Sequence, residues 1–225
     1  YPLSGRRIEF DLLAVRSARQ RQGLAGRLLA AALESWSESG IGRARALIRQ
    51  GNVASERVFA RAGFTPSDAW SELLIGRAAG EIAGSGTDGV TVRSAEAGDF
   101  AALARRWPAH FGHQPVDSRL RRDDYGLLVA HNGAGLLGFV ELLVVHTMLY
   151  SGVWLERLDA ADDDGQALQA LAGATRAWAA GRCLELAGAV IDMARAPARD
   201  ALHRAGYEPA GVYRYFHRPA GVDRC

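Results

Sequence analysis

Lysine is absent, and all 27 basic residues of this 225-residue chain are arginine. Alongside abundant alanine and glycine, that reads as a bias of the coding sequence rather than a binding device. Charge of one sign is scarce as well, since 25 acidic residues leave a formal net charge of +2. Such a balance supplies no global field to draw nucleic acid or an anionic membrane, so neither is expected as a partner. Cysteine is nearly absent: Cys183 and Cys225 stand far apart without CxxC or Cys/His ligand spacing. That excludes a disulfide framework and a metal site of the zinc type, and it makes a reducing cytoplasm the expected location. Long apolar runs are missing too. The stretch 136–145 is broken by Gly138 and Glu141 and falls well short of the roughly 20 residues that span a bilayer. No signal peptide opens the chain, which begins at Tyr1-Pro2 without methionine and runs almost at once into a strand-like segment. That start reads as a cut beginning.

What is present suffices for a core, with 48% hydrophobic and 23% charged residues. A Gly-rich stretch over 78–89 with weak periodicity separates two segments that each carry strand and helix patterns, as a linker would. Before it the pattern predicts strands over 7–15, 43–49 and 70–77. It predicts a helix over 24–36 with Leu24, Leu28, Leu29, Ala32, Leu33 and Trp36 on its apolar face, and a short helix capped by Asn52 and ended by Gly63. After it come strand 90–93, helix 100–107, a hairpin of 127–131 with 136–145 turning at Asn132-Gly133, and strand 153–158. Helix 166–180, strand 183–191, helix 197–205 and strand 211–217 complete the order. Arg61-Ala-Gly-Phe-Thr-Pro66 recurs as Arg204-Ala-Gly-Tyr-Glu-Pro209 inside the same strand, helix, strand, helix succession. This is a tandem duplication, and its first copy lacks a counterpart of everything before the strand at Arg7.

The chemistry concentrates in Leu13 to Gly26, a strand end, a basic loop and a Gly-containing helix start. Gly23, Ala25 and Gly26 allow close backbone approach, the first helical turn offers N–H groups to an anion, and Arg16, Arg19 and Arg21 add charge. After it comes Asn52-x-x-Ser55-x-x-x-Phe59-x-x-x-Gly63-Phe64. Over residues 8–77 this succession resembles the GNAT superfamily of acyl-CoA-dependent N-acyltransferases. The resemblance implies an α/β (α+β) fold of two GNAT-like domains, each a mixed, mostly antiparallel central sheet flanked by helices. Residues 1–77 would be the C-terminal part of the first domain, 78–89 the linker, and 90–218 a second, degenerate domain.

Position by position, the resemblance implies that Leu13, Ala14 and Val15 pair with the pantetheine arm. Gln20, Arg21, Gln22, Gly23, Leu24, Ala25 and Gly26 would form the pyrophosphate loop of an acetyl-CoA or other acyl-CoA donor. Asn52 would touch the pantetheine or order the loop, with Ser55 and Phe59 at the thioester end. Many relatives have a tyrosine at the place of Phe59 that protonates the departing thiolate, and this sequence has no hydroxyl there. Acyl transfer needs a neutral amine, which a carboxylate base provides. Glu9 and Asp11 share the parity of Leu13 on the first strand, and Glu9 stands where several relatives keep their base. The other reading of Glu9 is a solvated edge residue or a partner of Arg6 or Arg7.

In the second copy Ala161-Asp-Asp-Asp-Gly165 replaces the basic loop and Arg195 stands for Asn52. Three carboxylates there repel a diphosphate, so catalysis is expected in the first copy alone. The six histidines read as loop or surface residues, and Tyr213, Tyr215 and Phe216 as sheet packing. The function so implied is transfer of an acetyl group to a primary amine of a small molecule, with a homodimer as one arrangement the family allows. Two rivals are a non-catalytic acyl-CoA-binding module and an aminoacyl-tRNA-dependent transferase. The missing first strands predict about 60 to 80 further residues before Tyr1, scaled to an ordinary domain of about 100 to 150 residues.

Overall fold

The computed structural model describes residues 2–3, 7–10, 13–37, 43–80, 89–112, 122–147 and 150–219. In chain order the elements are β1 (Pro2–Leu3), β2 (Arg7–Phe10), α1 (Leu24–Ser37), β3 (Arg43–Arg49), α2 (Val53–Arg61), β4 (Thr65–Arg77), β5 (Thr91–Ser94), α3 (Phe100–Arg106) and α4 (Pro108–Phe111). Then follow β6 (Tyr125–Asn132), β7 (Gly135–His146), β8 (Ser151–Ala160), α5 (Gly165–Ala180), β9 (Leu186–Asp192), α6 (Ala196–Arg204) and β10 (Glu208–Pro219). They form two compact units, Tyr1–Ser71 with Gly211–Cys225, and Glu72–Ala210. Residues 211–218, expected as the end of the second domain, thus fall in the first unit, and residues 72–77, expected in the first domain, fall in the second. Residues 81–88 of the expected linker lie outside the described ones.

The first unit is a sheet in the order β1-β2-β3-β10-β4. β3 alternates, burying Ala44, Ala46 and Ile48 on one face and turning its arginines to the other. β2 runs parallel to it, Arg7 opposite Arg43 through Phe10 opposite Ala46, and β10 runs antiparallel on its other side from Tyr213 opposite Arg49 to Pro219 opposite Arg43. Helices α1 and α2 cover the buried face through Leu29, Leu33, Val58 and Phe59. Rings of Phe10, Phe59 and Phe64 meet edge-on there, with centroids 5.0 to 5.9 Å apart. Leu28, expected on the apolar face of α1, is instead 53% exposed, because the face that meets the sheet is centred on Leu29. The two-residue strand β1 pairs antiparallel with Arg7 and Ile8 and carries too short a pattern to be legible.

The second unit is a sheet in the order β4-β9-β8-β7-β6-β5, β4 contributing its part from Glu72. β7 is buried without interruption from Gly138 to Val145 because both faces are covered. One face meets α5 and α6 through Leu168, Leu171 and Leu202, and the other meets α3 and α4 through Leu103 and Phe111. The hairpin turns where expected, the Asn132 side-chain oxygen accepting from the N–H groups of Ala134 and Gly135. Tyr207 is fully buried and donates its hydroxyl to the Ala172 carbonyl at 3.2 Å, and burial pushes its phenol far above the usual range. Tyr207→Phe should cost about 1 kcal/mol, read as a modest fall in melting temperature. No helix among the described residues is long and apolar enough to cross a membrane.

The duplication is geometric as well as textual. The nine-residue helices α2 and α6 both end before a glycine in the left-handed region, Gly63 at φ +82 and Gly206 at φ +83. The next residue in each case donates its N–H back into the helix, Phe64 to Phe59 at 3.1 Å and Tyr207 to Leu202 at 3.0 Å.

Candidate active site

In the first unit β2 pairs with β3 from Arg7 through Phe10 among the described residues. Residues 11–12 are outside the described ones, so the expectation for Asp11 lies there too, and Leu13 to Arg16 carry no strand. Leu13 leans on the core of the unit, whereas Ala14 is exposed. The chain then makes a 3-10 turn over Ser17–Arg19 and enters α1 at Leu24. Gln20 donates through Nε2 to the Val15 carbonyl at 3.2 Å and Gln22 to the Ala18 carbonyl at 3.5 Å. Both amides therefore brace the loop.

Arg21 at φ +61 and Gly23 at φ +73 turn the backbone so that the helix opens outward. A Cβ added at Gly26 would meet nothing within 4 Å, which leaves the concavity clear. The Arg27 N–H reaches the Gly23 carbonyl at 3.1 Å, while the N–H groups of Leu24, Ala25 and Gly26 find no acceptor among the described residues. Unpaired first-turn N–H groups together with the helix dipole make a seat for an anion. Arg16, Arg19 and Arg21 stand exposed around it without a carboxylate partner among the described residues.

Asn52 caps α2, its Oδ1 accepting from the Ser55 N–H at 3.2 Å, and Ser55 is half-buried. Phe59 is 4% exposed within the aromatic triangle described above. Glu9 lies opposite Arg45 in the parallel register, and its Oε2 accepts from Arg45 Nε at 2.8 Å and Nη2 at 2.6 Å. The Arg45 guanidinium also lies 5.0 Å from the centre of the Tyr215 ring. Arg45, 36 residues along the chain and opposite Glu9 on the neighbouring strand, is thus a partner that local sequence reasoning about Arg6 and Arg7 does not reach.

The corresponding helix start in the second unit is closed by its own side chain. Asp164 Oδ1 accepts from the N–H groups of Gln166 at 2.9 Å and Ala167 at 3.2 Å. Elsewhere in that unit, His110 is not a loop residue: it belongs to α4 and its Nε2 meets Glu141 Oε2. Tyr125 donates its hydroxyl to Glu141 Oε1 at 2.6 Å. The partners lie 31 and 16 residues from Glu141, so no spacing signal announced the cluster. Among the described residues no group of His, Cys, Asp and Glu has the arrangement of a metal site.

The first unit thus brings a short parallel strand pair, a glycine turn and a helix start whose first N–H groups have no acceptor among the described residues into one succession along the chain, an arrangement able to seat an anion. Residues 3–72 match the acetyltransferase (GNAT) domain family. Among solved structures the chain resembles a GCN5-related N-acetyltransferase from Sphaerobacter thermophilus at 18% identity and TM-score 0.58, covering 93% of this chain and 72% of that one. It also resembles a tandem GNAT protein from the clavulanic acid biosynthesis pathway at 15% identity and TM-score 0.58, covering 96% and 75%. A GCN5-related N-acetyltransferase from Kribbella flavida aligns at 15% identity and TM-score 0.55, covering 87% and 76%. At these identities the likeness is one of fold. No curated protein matches the sequence.

Proposed function

We propose that the chain is an acetyl-CoA-dependent N-acetyltransferase whose first unit binds the donor and passes its acetyl group to a primary amine of a small molecule. The observation that carries this reading is the α1 start, where among the described residues three N–H groups have no acceptor and the loop before them holds exposed arginines with no acidic partner. The residues present suit the donor: Leu24, Ala25 and Gly26 would hold its diphosphate, and the backbone of Leu13, Ala14 and Val15, free of a β3 ladder, would pair with its amide arm. When bound, the donor supplies an acyl group activated as a thioester. A backbone N–H near Val15 would stabilise charge on the acyl oxygen, and Glu9 would take the proton of the attacking amine. Phe59 has no hydroxyl to donate, so that route of protonating the leaving sulfur is closed to this chain.

A second reading, a non-catalytic acyl-CoA-binding module, is favoured by Phe59 being committed to the core. Turnover of acetyl-CoA over a panel of small amines separates the two, and binding without turnover would select the module. An aminoacyl-tRNA-dependent transferase is disfavoured by the basic phosphate loop. Ala25→Asp tests the seat itself. A carboxylate among these N–H groups blocks the concavity and repels the phosphates, so calorimetry should show one CoA per wild-type chain and no measurable binding by the variant. Two equivalent CoA sites per chain would count against the reading.

A further inference from the structure

In the second unit β8 and β9 run parallel but pair only from Gly152 opposite Leu186 to Leu155 opposite Ala189, although β8 continues to Ala160 and β9 to Asp192. Carbonyls of β8 beyond Leu155 that face away from β7 therefore lack β9 as a partner and must find another. Leu158 finds it in Arg195, whose Nη1 donates to the Leu158 carbonyl at 2.9 Å. The other terminal nitrogen, Nη2, lies 3.7 Å from Asp159 and 3.8 Å from Asp163. These carboxylates are partly exposed, so they steer the guanidinium more than they hold it.

Arg195 reaches this place from a duplicated position. It precedes α6 at φ −87, ψ 64, just as Asn52 precedes α2 at φ −80, ψ 65. With the same backbone, the asparagine turns onto its own helix while the arginine extends to a strand 37 residues back. The helix start beside it is closed by Asp164.

We infer that Arg195 is an internal occupant of the second unit's strand opening, making the backbone contact that a ligand amide would otherwise make, while Asp164 takes the helix N–H groups that would otherwise meet a phosphate. The inference rests on the proposed function only in taking the matching opening of the first unit as the donor site. It assigns the closure of the second unit to two side chains acting on the backbone, beyond the repulsion exerted by its acidic loop.

Hydrogen–deuterium exchange on the full chain, with CoA as the probe, tests it. In the wild type, saturating CoA should slow exchange over residues 13–27 and leave 156–167 unchanged. Because Arg195 holds a carbonyl of this strand and not an amide, Arg195→Ala acts on exchange by easing local opening of the strand, and should speed exchange over 156–160 roughly tenfold, the factor that a loss of about 1.4 kcal/mol carries, with 125–146 unaffected. Arg195→Lys keeps the charge but not the forked reach, so it should move the same way, and it serves if the alanine variant does not fold. Protection of 156–167 by CoA in the wild type, or wild-type exchange over 156–160 in Arg195→Lys, overturns the inference. Absence of protection over 13–27 would instead count against the donor site in the first unit, and the Arg195 variants would still decide the closure.

Discussion

A chain that stops at Ala210 should lose the fold of its first unit while keeping that of the second. The strand removed, residues 211–219 of β10, lies between β3 and β4 and meets β3 at seven register positions from Tyr213 to Pro219. Without it β3 becomes an edge with unpaired N–H and C=O groups, a template for aggregation. The aromatic cluster also loses Phe216, which is 2% exposed beside Ala46 and Phe59. Emptying one such phenylalanine site costs about 3 to 5 kcal/mol, a large share of the 5 to 15 kcal/mol that holds a typical domain. The expected result is therefore loss of exchange protection over residues 43–49 together with loss of CoA binding. Protection over 125–146 and 167–180 should survive, since residues 72–210 supply that unit's own sheet and helices. Full CoA binding by the shortened chain would show that β10 is dispensable.

That dependence was not legible in the sequence, and the reason is physical. Local periodicity announces that residues 43–49 and 211–217 are strands, because alternation with a period of two is a property of each segment by itself. Which strand pairs with which is set by burial across the whole sheet, and no local residue encodes it. The same divide runs through the site. The loop from Leu13 to Gly26 and the cap at Asn52 are local devices, built from glycine conformations and short side-chain reaches, and they stood out in sequence. The pairing of Glu9 with Arg45 arises only when β2 and β3 align in parallel, and the meeting of His110 and Tyr125 on Glu141 only when α4 lies over β7. Arg195 falls between the two cases. Its position in the repeat is readable, but its reach to Leu158 depends on where β8 and β9 part.

Glu9→Gln should lower the rate of acetyl transfer at neutral pH by about 100- to 10,000-fold, the span over which positioned general bases act, with CoA affinity little changed. The substitution preserves shape and removes the proton acceptor. It also weakens the contact with Arg45, which reaches Glu9 through two nitrogens at 2.8 and 2.6 Å. Two roles for the carboxylate must therefore be separated. As a strut, Glu9 joins β2 to β3 through a charge-assisted pair only partly shielded from water, its side chain being 20% exposed, and losing the pair would lower the melting temperature without touching the chemical step. As a base, it would be held by Arg45 at a fixed place on the strand that leads to Leu13, and losing it would lower kcat at constant stability. Arg45→Gln divides them, because it removes the brace and keeps the carboxylate. A base displaced by loss of its brace still accepts protons, so Arg45→Gln should retain far more activity than Glu9→Gln, whereas equal melting losses with unchanged kcat in both variants would leave Glu9 a strut.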